Sequence, residues 1–311
     1  MRKIRPRKKS VFYKIKPAWI FLGLVFFVVC IFLLINLLPS PFWFPKWRVT
    51  LVLNTSPLAV VSFAPDSKEP VLVITIPNDL YVKVPNEYGY YPLGSVERLA
   101  EIEQKPDLLA RTVERVLAVK ITGWIKDPQP TTLSSDDKTK AVKDYLLKQA
   151  SPFSKSSTNL TQIDRLLMAL RLIRLGGERF QRVWLGIGSL SHDETLADGT
   201  IVKQVDLEAL DRVLEGVFTD SQIRQEALIV EVRNGSQKSF AARDFARYVS
   251  TIGGKVTAIN NAPAQSEACI IAVADAKRKL IAYLKEILGC TVTEQSDTGS
   301  TEAVIFVGEK W

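Results

Sequence analysis

The sequence predicts an α/β (α+β) protein with a single N-terminal transmembrane helix, an outer α/β core and a small βαββαβ domain at the end. Three observations carry this expectation. Ile20 to Leu38 is a run of nineteen uncharged residues. Strand-like apolar runs between positions 48 and 76 are followed by helical spacing at 108–117 and 159–173. From Ala227 onward, short apolar runs and amphipathic stretches alternate in the order β, α, β, β, α, β.

The apolar run contains one polar side chain, Asn36. As a helix it spans about 28 Å, close to the thickness of a bilayer's hydrocarbon core. Trp19 precedes it, and Phe42, Trp43, Phe44 and Trp47 follow, as aromatic residues do at headgroup level. A cleaved secretory signal has a shorter apolar region and a small-residue cleavage site. Here the run ends in Leu38-Pro39-Ser40-Pro41-Phe42, so it reads as a retained signal-anchor.

The tail before it carries Arg2, Lys3, Arg5, Arg7, Lys8, Lys9, Lys14 and Lys16 and no acid. By the positive-inside rule this end stays in the cytoplasm and the rest of the chain is extracytoplasmic. The division expected is a basic tail (1–18), a membrane helix (19–38), an outer domain (48–218) and a terminal domain (226–311). The tail's eight positive charges equal the formal net charge of +8, so everything after it is balanced. Nucleic acid is therefore excluded as a partner of the outer portion, and the membrane bilayer is expected as one.

Two residue counts narrow the chemistry further. The single histidine, His192, sits in the polar stretch Ser191-His192-Asp193-Glu194, which reads as a surface loop, and no nucleophile elbow accompanies it. His-rich zinc chemistry is excluded by number. Of three cysteines, Cys30 lies in the membrane run, while Cys269 and Cys290 are free to pair outside and show no metal-binding spacing.

Arg48–Leu53, Leu58–Phe63 and Pro70–Ile76 read as strands, the third apolar on both faces as a central strand is. Leu108–Leu117 places Leu109, Val113, Val116 and Leu117 on one helical side. Lys126–Thr158 reads as a long connection with a short helix near Ala141–Gln149. Asn159 opens an amphipathic helix whose apolar positions are Leu160, Ile163, Leu166, Leu167, Leu170 and Ile173, ended by Gly176-Gly177.

That helix and its exit carry Arg165, Arg171, Arg174, Arg179 and Arg182. They read either as a solvated face or as a phosphate site, since guanidinium forks match phosphate oxygens. Val183–Ile187 returns as a strand. In the final unit, strands are expected at 227–232, 255–259, 269–273 and 303–307 and helices at 239–250 and 277–288. One antiparallel-dominated sheet with both helices on one face is the expected packing.

Two stretches together resemble the LytR-CpsA-Psr family. Ser62-Phe63-Ala64-Pro65 and Val73-Ile74-Thr75-Ile76-Pro77-Asn78-Asp79-Leu80-Tyr81-Val82 are similar to the family's core, in which a central strand ends in Ile-Pro-Arg-Asp before an aromatic residue. Thr112-Val113-Glu114 matches its Thr-Val-Glu helix. Val230–Ser236, Ala241-Ala242, Val256, Asn260-Asn261-Ala262 and Ala303–Gly308 resemble the accessory LytR C-terminal domain. The resemblance implies transfer of a glycopolymer from a polyprenyl-pyrophosphate carrier to peptidoglycan, with Mg²⁺, and with arginines and aspartates gripping the pyrophosphate.

Carried over residue by residue, Asp79 is the catalytic and Mg²⁺-binding candidate and Arg165 the one arginine that transfers; Arg171 and Arg174, from the same helix, join Arg165 as phosphate-binding candidates through their guanidinium chemistry alone. The chain departs from the pattern at Asn78, where the motif has arginine, at Asn54-Thr55-Ser56-Pro57-Leu58, and at Tyr90-Tyr91-Pro92-Leu93-Gly94. Three functions stay open at this point. They are binding of lipid-linked glycan or peptidoglycan by a protein with a degenerate catalytic site, an active Mg²⁺-dependent phosphotransferase, and a non-catalytic envelope or division scaffold. Asp79 also reads as a strand-end carboxylate capping a turn.

Overall fold

The computed structural model describes residues 23, 27, 46–66, 69–128, 131–132, 139–151, 153–175, 179–263, 268–295 and 301–311. The expected membrane span lies outside the described residues except for Gly23 and Phe27, both helical. Among the described residues, no helix is long and apolar enough to cross a membrane. Gly176-Gly177 also falls outside them. Residues 42–311 form one compact unit.

Its first half runs β1 (Val49–Leu53), β2 (Leu58–Phe63), β3 (Val71–Ile76), β4 (Tyr81–Val84), β5 (Gly89–Pro92), α1 (Leu93–Ile102), α2 (Leu108–Leu117), β6 (Gly123–Lys126), α3 (Thr139–Ala150), β7 (Ser157–Thr158) and α4 (Gln162–Arg174). It continues with β8 (Phe180–Trp184), α5 (Ile187–Leu190), β9 (Ser191–Thr195), β10 (Ile201–Val205), α6 (Leu207–Leu214) and α7 (Ser221–Glu226). The final part comprises β11 (Ile229–Asn234), α8 (Ala241–Thr251), β12 (Lys255–Asn261), β13 (Ile270–Val273), α9 (Lys279–Leu288), β14 (Thr291–Glu294) and β15 (Ala303–Val307).

The main sheet has the order β7-β6-β1-β2-β3-β8. All residues of β1, β2 and β3 are buried, because helices cover both faces. The period-2 alternation of a strand divides these residues between two cores. Val52, Val60, Leu72 and Ile74 pack with Val96 of α1, Val113 of α2 and Leu210 of α6. Leu51, Val61, Phe63 and Val73 pack on the other side with Leu146 of α3 and Met168 and Leu172 of α4.

Helix α4 begins at Gln162, three residues later than the expected Asn159, because a capping box sets its start: Thr161 Oγ1 accepts from Asp164 N–H and the Asp164 carboxylate accepts from Thr161 N–H. Its buried face differs from the expectation. Asp164, Arg165, Met168 and Leu172 point inward, while Leu166, Leu170 and Ile173 are exposed. Apolar residues occupy most sides of this helix, so spacing alone does not select the buried one.

His192 lies in a strand rather than a loop. β9 is the edge of a four-stranded sheet, order β5-β4-β10-β9, and its polar sequence suits an edge facing water.

The terminal sheet has the order β12-β11-β15-β13-β14. Contrary to the expected antiparallel majority, β11 pairs in parallel with both β12 and β15, and β13 in parallel with β14; only β13 and β15 run antiparallel. Each helix crosses over between parallel neighbours, giving two βαβ units joined by the last strand. Val230, Val232, Ile271 and Ile305 share one core with Phe245 of α8 and Leu284 of α9. Trp47 and Ile223 also belong to this core, so its packing reaches beyond 226–311 to the residues just before β1. The Trp47 ring meets Tyr283 edge-on at 5.2 Å, and its Nε1 donates to Glu286 at 2.7 Å.

Candidate functional site

β1, β3, β6 and β8 run in one direction, so Asn54, Asn78, Asp79 and Lys126 gather along a single edge of the main sheet. A transferase site built as the resemblance implies requires Asp79 and an arginine in this region. The side chains there are placed as follows.

Asn78 is part of the scaffold. Its Oδ1 accepts from Leu58 N–H at 3.0 Å, its Nδ2 donates to Ser56 Oγ at 3.1 Å, and its backbone carbonyl accepts from Gly94 N–H. Gly94 approaches so closely that an added Cβ would lie 2.9 Å from Asn78 Cβ. This position therefore ties the start of β2 to the start of α1. Asp79, one residue on, is exposed and has no hydrogen-bond or ion-pair partner among the described residues. It does not cap the turn.

Arg165 is buried, at 8% exposure. Its guanidinium donates to the carbonyls of Ser151 at 3.4 Å and Ser156 at 3.5 Å. Ser156 adjoins β7, four strand spacings from β3 in the sheet order. At 4.7–4.9 Å per spacing, that places the Arg165 anchor about 19 Å across the sheet from Asp79's strand. The two candidates are not brought together.

Arg171 is likewise occupied. Nη2 donates to the carbonyls of Ala64 at 2.9 Å and Asp66 at 3.0 Å, while Nε is buried without a partner among the described residues. Burial holds this guanidinium below the ordinary arginine value. Arg174 is exposed in the last turn of α4, where a cation is favoured by the helix dipole.

Mg²⁺ is held by one or two carboxylates together with substrate phosphates and water. Asp79 offers one carboxylate, and no group of three or more His, Cys, Asp or Glu side chains converges among the described residues. The donor set does not make a cation site of its own.

A different feature emerges between the two halves of the unit. A cleft of about 750 Å³ is lined by Arg224, Arg243, Arg247, Ser250, Thr251 and Gly253, together with Asp211 and Glu215. Arg247 is fixed: it grips both carboxylate oxygens of Asp211 and donates to the carbonyls of Arg115 and Val116 at the end of α2. Arg224 and Arg243 are exposed and have no acidic partner among the described residues. Sequence reasoning missed this cleft because its residues lie on α6, α7, α8 and the turn before β12, which no local motif links.

No family profile matches the chain, and no curated protein does. Matches to solved structures are distant. Bacillus subtilis TagT aligns at 14% identity over 56% of this chain and 91% of its own, with a TM-score of 0.39. B. subtilis TagV aligns at 12% identity over 54% and 93%, with a TM-score of 0.37. B. subtilis TagU aligns at 10% identity over 54% and 94%, with a TM-score of 0.30. These three are LytR-CpsA-Psr enzymes, the family that the residues resemble.

Proposed function

We propose that this chain is a membrane-anchored, extracytoplasmic cell-envelope protein that binds lipid-linked glycan or peptidoglycan and lacks the phosphate-gripping charges of a wall-glycopolymer transferase. The observation that carries this reading is Asn78. It stands where the resembled motif has arginine, and its side chain is used to hold Leu58 and Ser56. Arg165 and Arg171 are committed to backbone carbonyls, and the former lies far from Asp79. Phosphoryl transfer depends on positioned positive charge around the leaving group, so the loss falls on the step that needs it most.

Two further features support the reading. Cys269 and Cys290 form a disulfide, which persists in oxidising compartments such as the cell exterior. The cleft bearing Arg224 and Arg243 offers unpaired guanidinium groups and hydroxyls, a lining suited to an anionic glycan.

The second reading, an active Mg²⁺-dependent phosphotransferase, is favoured by Asp79 itself, exposed and without a partner among the described residues. One experiment separates the two. The full chain is purified in detergent, analysed by mass spectrometry for co-purified polyprenyl phosphates, and assayed for Mg²⁺-dependent glycan transfer before and after Asp79→Ala. Bound lipid or glycan without transfer is the expected result. Transfer abolished by Asp79→Ala establishes the enzyme instead. A chain that carries neither lipid nor glycan and does not transfer leaves the scaffold reading.

A further inference from the structure

Helix α4 turns an apolar stripe to the outside. Leu166, Leu170 and Ile173, spaced at i, i+4 and i+7, are 58%, 42% and 66% exposed. Phe153, 91% exposed, belongs to the 151–156 segment whose carbonyls Arg165 of the same helix holds. The inward face is already filled by Met168, Leu172 and the capped, buried Asp164 and Arg165, so no rotation of the helix improves its burial. Contiguous exposed apolar surface of this kind marks a place that something covers.

The charge of the segment that carries the stripe indicates what covers it. Residues 139–175 carry seven Lys/Arg and two Asp, although the chain beyond its basic tail is balanced overall. Lys140, Lys148, Lys155 and Arg174 are exposed and have no acidic partner among the described residues. An apolar helical face flanked by basic side chains is the pattern of a helix lying in the interface of an anionic bilayer.

The tether allows this. Arg48, at the start of β1, pairs with Glu69, and Arg171 of α4 holds Ala64 and Asp66, so both grip the same β2–β3 loop. The C-terminal end of α4 therefore lies beside the point where the chain runs back toward Ile20–Leu38. The seven intervening residues, Pro39 to Pro45, reach at most about 25 Å, while α4 is about 20 Å long.

We propose that the outer face of α4, with Phe153, is a bilayer-contact surface: Leu166, Leu170 and Ile173 seat at the boundary of headgroups and acyl chains, and the flanking Lys and Arg side chains pair with lipid phosphates. This rests on the reading of Ile20–Leu38 as a membrane span, and on no assumption about glycan or lipid-carrier binding.

The test uses the full chain with Cys30→Ser and Leu170→Cys, labelled with an environment-sensitive nitrobenzoxadiazole probe and reconstituted into vesicles of phosphatidylglycerol and phosphatidylcholine. The expected result is a blue-shifted emission, quenched by lipids bearing a nitroxide on the acyl chain and weakened in phosphatidylcholine alone or at high salt. Adding Leu166→Gln and Ile173→Gln abolishes both signals without lowering the melting temperature, since those side chains are exposed. Emission characteristic of water from a chain that floats with the vesicles overturns the inference alone. A blue shift without nitroxide quenching, accompanied by crosslinking between copies, overturns it in favour of self-association. A chain that does not float removes the membrane span and this inference together, whatever the glycan assay shows.

Discussion

Arg247 and Asp211 join the two halves of the folded unit through a two-pronged contact, Nε and Nη2 each lying 2.7 Å from a carboxylate oxygen. The remaining reach of the same guanidinium goes to the last carbonyls of α2, Arg115 O at 3.1 Å and Val116 O at 3.0 Å. A second pair, Arg115 to Asp244 at 2.7 Å, lies alongside. Arg247→Ala should cost about 2–3 kcal/mol, since hydrogen bonds to charged groups are worth that much and Asp211 and two helix-end carbonyls lose their donor. Arg247→Lys should recover little of it, because an ammonium cannot reproduce the planar fork. Urea unfolding of the variants measures both, and a stability within 0.5 kcal/mol of the parent counts against the contact being a structural joint.

Asn78 should prove structural. Asn78→Ala leaves Leu58 N–H without its acceptor and should cost about 1–2 kcal/mol. Gly94→Ala drives a methyl group against Asn78 Cβ at 2.9 Å and its carbonyl oxygen at 3.3 Å, with an expected loss of about 1–3 kcal/mol. Asp79→Ala, at an exposed and unpartnered position, should change stability by less than about 0.5 kcal/mol. Thermal melts of the three variants check the ranking.

Glu231 supplies a pH dependence. The hydrogen bonds from Arg233, and then that from Asn260, hold its carboxyl below the ordinary glutamate range. A lowered folded-state value means that the contribution is present in full above the unfolded value of about 4.3 and disappears as pH falls through the lowered one. Glu231→Gln should therefore reduce stability at neutral pH and flatten its decline on acidification. Parallel acid titrations of unfolding free energy would show two superimposable curves if the pair contributed nothing.

The Cys269–Cys290 bond closes a loop with a sequence separation of 21. Restricting a loop of that size in the unfolded chain corresponds to about 3 kcal/mol. Cys269→Ala/Cys290→Ala, or reduction, should lower the denaturation midpoint accordingly, measured on protein exported to an oxidising compartment. An unchanged midpoint would mean that the bond is dispensable there.

Tyr145 predicts a change in the other direction. Its buried hydroxyl has no hydrogen bond of good geometry among the described residues, Gln149 being only a weak neighbour, and burial pushes it up to about 12. Tyr145→Phe removes an unsatisfied polar atom and keeps the ring, so stability should hold or rise. A loss above about 1 kcal/mol on thermal melting would show that the hydroxyl has a partner in solution.

The legible parts of the fold are those where burial writes itself into composition. β1 to β3 carry continuous apolar residues because both faces are covered, and α2 has one clear apolar side. β9 and β14, with the sequences Ser-His-Asp-Glu-Thr and Thr-Val-Thr-Glu, are exposed edge strands and look like loops for that reason. Strand direction in the terminal sheet is decided by which strand lies beside which, a non-local property that the element order leaves open. The candidate site was legible only as a list of residue types. Whether Arg165 faces Asp79 or the carbonyls of Ser151 and Ser156 depends on the position of β7 at the far side of the sheet.

The last strand, β15, occupies the centre of the terminal sheet, hydrogen-bonded to β11 on one side and β13 on the other. Until it arrives, two βαβ units stand with their inner edges unpaired and their apolar faces incomplete. Synthesis delivers the chain from its N-terminus, so this domain cannot close until the residues around Ala303–Val307 have emerged. Long-range strand insertion of this kind is slow and leaves sticky intermediates. The terminal domain therefore needs protection until its own last strand has been made.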